Sequence, residues 1–133
     1  MGLIRELGTT AYLCVCGPRW RAAVIDVKKF RDFSMNPNHP TNGGKHTAFQ
    51  SLGWNVATAA DRDNAAAEVI AHVRRTCPRR VRRGAPSDHG PRFETEVRVK
   101  GPNGREGTLL LVWQVDRGQE SPRLITNWLR VHV

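Results

Sequence analysis

The most regular alternation of apolar and polar positions lies in the last third of the chain. Phe93-Glu94-Thr95-Glu96-Val97-Arg98-Val99 changes character at every residue, the period of a strand with one wet face. Gly101-Pro102-Asn103-Gly104 carries a hairpin-turn signal. Thr108 to Val115 is nearly continuous apolar and predicts a central strand covered on both faces. Asp116 to Pro122 turns the chain again, and Arg123 to Leu129 reads as a third strand. Ahead of these the period lengthens. Thr58 with Asp61 resembles a helix-capping pair, and Ala66, Val69, Ile70 and Val73 keep to one face until Pro78 forbids continuation. A shorter helix runs from about Gly44 to Leu52 with Gly53 as its stop. Lys28 to Phe33 suggests a turn of helix, with Phe30 and Phe33 pointing together into the core. Ala11–Cys16 and Ala22–Val27 are β-prone on either side of Gly17-Pro18, and form either a hairpin or an extension packed on the body. The order predicts an α+β fold, two N-terminal helices packed on one face of an antiparallel β-meander of three or four strands. Residues 1–24 are then an N-terminal extension or hairpin strand, and 25–133 a single α+β domain.

Composition agrees with a globular chain and adds a charge. Hydrophobic residues make up 39% and charged residues 25%, with a formal net charge of +9 and a pI near 10.7. The excess is carried mainly by arginine, whose forked donors suit phosphate. RNA is therefore the first partner to consider, and an acidic protein masking the same surface, such as an immunity or antitoxin protein, the second. No apolar run approaches the roughly 20 residues that cross a bilayer, so no membrane partner is expected. Cys14, Cys16 and Cys77 show neither a zinc nor a disulfide pattern, which fits a reducing cytosol. The apolar patch in residues 1–17 is short and broken by Glu6, a weak match to a signal peptide.

Polar chemistry concentrates in one place. Asn36 to Phe49 holds two prolines, three asparagines, two histidines, two glycines and a lysine. Pro37 and Pro40 hold the preceding residues out of the helical region, and Gly43-Gly44 then frees the backbone. Lys45 and His46 beside the first N–H groups of a helix suit an anion. The Pro78–Pro91 segment, with Arg79, Arg80, Arg82 and Arg83, reads as a basic mobile loop, either a solvated connector or a phosphate-contacting arm. No Walker loop, dinucleotide fingerprint or HExxH is present, and no clustered acidic pair suggests a metal. His39, His46, Lys45, several arginines and the Thr126 hydroxyl remain, parts of a metal-free phosphoryl transfer on RNA.

The stretch Asp26-Val27-Lys28-Lys29-Phe30 through Ser34-Met35-Asn36-Pro37-Asn38-His39-Pro40, then Gly43-Gly44-Lys45-His46, Phe49, Leu52-Gly53, Gly101-Pro102-Asn103-Gly104-Arg105, Val112-Trp113 and Pro122-Arg123-Leu124-Ile125-Thr126 resembles a bacterial domain family of unknown function. That family occurs alone and as the C-terminal module of polymorphic toxins. Its layout is similar to the barnase, EndoU, colicin and RelE ribonuclease superfamily. The resemblance covers about residues 25–128. It implies that Lys45 or His46 on the first helix and Arg123 or Thr126 on a late strand face one cleft. Where the family commonly has an aromatic after the late-strand threonine, this chain has Asn127-Trp128.

These readings converge on a metal-independent, toxin-type ribonuclease that cleaves RNA through the 2′-hydroxyl and needs no cofactor. The expected catalytic residues are His46, Lys45, His39 and Thr126, and the expected nucleic-acid contacts are Arg79, Arg80, Arg82, Arg83, Arg123 and Trp128. Each has a plainer role open to it: His39 as a loop anchor, Thr126 as a β-prone strand residue, Trp128 as core. His72 and His89 read as solvated, and His132 as part of a frayed end. The alternative function is a non-catalytic basic nucleic-acid-binding or protein-interaction module of phage or mobile-element origin. The expected location is cytoplasmic, or the cytoplasm of a target cell after delivery.

Overall fold

The computed structural model describes residues 22–133 apart from positions 79 and 86. A π-helical turn (Lys29–Ser34), helix α1 (His46–Ser51) and helix α2 (Ala59–Arg75) precede strands β1 (Arg80–Arg83), β2 (Arg92–Lys100), β3 (Glu106–Gln114) and β4 (Arg123–Val131). The strands form one antiparallel sheet in sequence order, because each connection is a short turn and neighbours pair as they are made. This is the α+β layer that the periodicity predicts, with four strands. The proposed strand at Ala11–Cys16 and the expectations for Cys14, Cys16 and Arg79 lie outside the described residues. The Ala22–Val27 piece makes one parallel bridge, Val24 to Arg123, with Val24 N–H on Pro122 O at 2.8 Å and Leu124 N–H on Val24 O at 2.9 Å.

The sheet's inner face explains the core. Phe93, Val97 and Val99 of β2, Leu109, Leu111 and Trp113 of β3, and Leu124 and Leu129 of β4 are buried against Phe30, Met35, Phe49, Leu52 and the Ala66–Val73 side of α2. Thr95 is buried too, and its hydroxyl accepts the Trp113 indole N–H at 2.9 Å. Full burial of each large side chain contributes about 1.5–3 kcal/mol. Continuous apolarity in β3 overstates its cover. Leu110 and Val112 are only half-buried, as one-sided packing of an antiparallel sheet allows.

Four local readings change. Arg80–Arg83 is a strand, not a loop: Arg82 stands opposite Glu94 in the register, and its Nε lies 2.7 Å from Glu94 Oε1. A run of arginines carries no β pattern of its own, and only the acidic outer face of β2 supplies the complement. Phe33 does not join Phe30 in the core; the π-helical turn leaves it half-buried on the flank. His132 is not frayed, since its N–H donates to Glu106 O at 2.9 Å and its Nε2 lies 2.7 Å from Thr108 Oγ1. Thr58 caps α2 as expected, accepting from Asp61 N–H at 3.1 Å. Cys77 is disulfide-bonded, so the cysteines no longer speak for a reducing compartment.

The β2–β3 turn is tied to the end of α1 through Leu52. Its carbonyl accepts Asn103 N–H at 3.2 Å, and Gly101 passes so close that a Cβ there would collide with that same oxygen. Gly101→Ala is therefore expected to lower stability by about 1–3 kcal/mol, measured by urea unfolding. An unchanged midpoint would show that this contact does not fix where α1 sits on the sheet.

Candidate functional site

The polar loop between the π-helical turn and α1 is built around Asn42, which is 4% exposed. Its amide donates to Phe33 O at 2.8 Å and Asn36 O at 2.6 Å, and its Oδ1 accepts Gly44 N–H at 3.0 Å. Asn36 adds an Asx turn, its Oδ1 accepting Asn38 N–H at 3.0 Å. Between these clamps both prolines sit in turns, the first closed by His39 N–H on Asn36 O at 3.3 Å, so the loop is folded back and not extended. His39 is thereby presented at one end of the loop and Lys45 at the other.

His39 and Thr126, distant in sequence, line one concavity of about 470 Å³ together with Asp26, Lys28, Lys29 and Phe33. His39 Nδ1 accepts Thr41 N–H at 3.1 Å. In the neutral ring the proton is therefore on Nε2, a donor. Phe33 connects this hollow to Lys45: the His39 ring meets it edge-on at 4.8 Å between centroids, and Lys45 Nζ sits 4.9 Å from its centroid. The ammonium also lies 5.9 Å from the Trp128 ring and 3.4 Å from Asn127 O on the outer edge of β4. Trp128 and Lys45 line a second concavity, again of about 470 Å³, with Gly43 and Gly44.

Thr126 and Trp128 reach this side because of a β-bulge. Val112 pairs with Thr126 but Trp113 with Leu124, leaving Ile125 as the extra residue. Leu124 and Asn127 both turn inward as a result, and Asn127 Nδ2 donates to Lys29 O at 3.0 Å. That bond ties β4 to the π-helical turn that carries Lys28, Lys29 and Phe33.

The electrostatics distinguish the cations. Burial lowers the pKa of Lys45, and no carboxylate among the described residues lies within 4 Å of it. Asp32, also lining the first concavity, has a lowered pKa, chiefly through its hydrogen bond from Arg31. Arg31 bridges Asp32 and Asp63 at 2.9 and 3.1 Å.

Several expected residues stand elsewhere. His46 lines neither concavity, and its Nδ1 is buried with no hydrogen-bond partner among the described residues. Arg123 lies beside Asp116, Nε to Oδ2 at 2.8 Å, in a separate hollow with Asp88, His89 and Arg117. That pairing lowers the Asp116 pKa to about 2. Arg82 is paired with Glu94 on the outer face of the sheet, and Arg83 lines a recess beside Gly84 and Arg92. Arg80 follows the same strand, and Arg79 is outside the described residues. His72 is held by Arg98 O, 2.7 Å from Nε2. Sequence reading missed Lys28, Lys29 and Phe33 as site residues. Their signal was adjacency to the polar loop, hidden because Phe33 reads as core. Among the described residues no three His, Cys, Asp or Glu side chains gather as a metal set, and no helix is long and apolar enough to cross a membrane.

A family model described as "Domain of unknown function (DUF6883)" matches residues 18–131, and the chain belongs to that family. No curated protein and no solved structure matches it.

Two measurements check the geometry. Asn42→Ala leaves the Phe33 and Asn36 carbonyls without their donor and is expected to cost on the order of 2 kcal/mol or more, read by chemical denaturation. Lys45→Met keeps the aromatic contacts and removes a charge that burial disfavours. The protonated amine is penalised in the folded state, so wild-type stability relative to this variant should rise with pH, from the lowered folded pKa up to the unfolded value of 10.5. A difference that stays flat from pH 7 to 11 would show that Lys45 is fully solvated.

Proposed function

We propose, from the premise that this is a member of the DUF6883 family, that it is a metal-independent ribonuclease acting at the His39–Thr126 concavity. The observation that carries the reading is the convergence of an imidazole, a hydroxyl and the Lys28 and Lys29 side chains in one hollow, beside an ammonium whose burial favours the free amine. His39, not His46, is the histidine of this scheme.

The chemistry follows from what each group can hold. Neutral Lys45 accepts the proton of a ribose 2′-hydroxyl, and the 2′-oxygen bonds to phosphorus. The bond from phosphorus to the 5′-oxygen breaks, and the departing oxygen takes the Nε2 proton of His39 in its imidazolium form, which forms only as the Thr41 N–H releases Nδ1. The products are a 2′,3′-cyclic phosphate and a 5′-hydroxyl. Lys28, Lys29 and the Thr126 hydroxyl are the donors for charge gathering on the phosphate. Both proton carriers return to their starting forms through solvent.

A second reading has its own observation. Lys45 Nζ is already engaged by Asn127 O and two rings, which suits a fixed charge as well as a proton carrier. On that reading the chain binds RNA without cutting it, or its basic face meets an acidic immunity or antitoxin protein in a toxin system.

Incubation with total RNA at low salt in EDTA separates the two. Cleavage leaving cyclic phosphate ends, abolished by a 2′-deoxy substitution at the cut site, is expected. His39→Ala and Lys45→Met should each reduce the rate by about 10²–10⁴. Because the scheme needs the free amine of Lys45 and the imidazolium of His39 together, the rate should pass through a maximum in pH, and Lys45→Arg, which cannot accept the proton, should abolish cleavage. Salt-sensitive binding with no product would leave the non-catalytic reading standing.

A further inference from the structure

The concavity between α1 and the end of β4 shares Lys45 with the cleavage scheme, and its remaining residues take no part in it. One side is Trp128, which at 58% exposed is the large aromatic left open on a strand that otherwise buries Leu124 and Leu129. Facing it are Gly43, Gly44, Thr47 and Ser51. Thr47 Oγ1 donates to Gly44 O at 2.9 Å, so its lone pairs are left as acceptors. Gly43 and Gly44 adopt φ of +65° and +78°, and a Cβ on either would meet no atom within 4 Å. The glycines therefore answer to the turn and not to crowding, and they leave that wall as bare backbone. Lys45 lines this concavity, and its ammonium lies near both Trp128 and Phe33, a lining residue of the other.

Resting on the reading that the chain acts on RNA, we infer that this concavity takes one nucleobase, unstacked from single-stranded RNA and laid against Trp128. A flat exposed ring with an ammonium at its margin matches a nucleotide, base on the ring and phosphate toward the charge. Gly43 backbone groups and the Thr47 and Ser51 hydroxyls face the edge of the base. A base within a duplex is already stacked on both sides and cannot enter, so the substrate class is single-stranded RNA. The net charge of +9 favours this polyanion over an apolar peptide on the same ring.

Fluorescence anisotropy with 2′-O-methyl oligonucleotides, which lack the attacking hydroxyl, tests this on the full chain. Three probes of equal length are compared: single-stranded, duplex, and single-stranded with abasic sugars. The single strand is expected to bind at least about tenfold more tightly than the other two. Trp128→Ala should remove that preference while leaving abasic binding unchanged, and Trp128→Phe should keep most of it. Because Trp128 is exposed, thermal melts of the variants should match the wild type. Equal wild-type affinity for base-containing and abasic strands, or a preference untouched by Trp128→Ala, overturns the base pocket alone. Absence of wild-type binding to every probe at low salt overturns both the pocket and the RNA reading.

Discussion

The buried carboxamide of Asn42 is the constraint on which the candidate site depends. A loop rich in proline and glycine has few backbone hydrogen bonds of its own, and its carbonyls must still find donors when they turn inward. One side chain supplies two donors and one acceptor, to Phe33, Asn36 and Gly44. With those three points pinned, the prolines leave little freedom between them. His39 and Lys45 then both stand against Phe33.

A second tie is equally local in cause and distant in effect. The bulge at Ile125 turns Asn127 inward, and its amide meets Lys29 O. The same carbonyl accepts Ser34 Oγ at 3.2 Å, inside the π-helical turn. Through this junction the loop, the turn and the edge of β4 become one wall, and Thr126 comes to line a hollow with His39. Neither half would define a cavity alone.

Charge is distributed less simply than its total suggests. Arg31, Arg82, Arg98 and Arg123 have carboxylates within 4 Å, and exposed pairs of that kind contribute little to stability while damping the local field. Lys45 has aromatic faces and a carbonyl for neighbours. Lys28 and Lys29 in turn share their hollow with Asp26 and Asp32, so the net charge overstates what that hollow offers an anion.

The sequence by itself determined the α2 span, the three long strands, the turn at Gly101–Gly104 and the concentration of polar chemistry in Asn36–Phe49, because each is written in local periodicity, capping or backbone restriction. It also marked His39, Lys45, Thr126 and Trp128 individually. Only the tertiary structure decided that Arg80–Arg83 pairs as a strand, that Phe33 leaves the core, and that His46 and Arg123 stand apart from His39. Those outcomes rest on a partner strand's carboxylates, a π-helical turn and a one-residue bulge, none of which has a signature within the segment it redirects. Side-chain convergence is set by register and by long-range hydrogen bonds, and a single inserted residue in β4 changes which face every following side chain occupies.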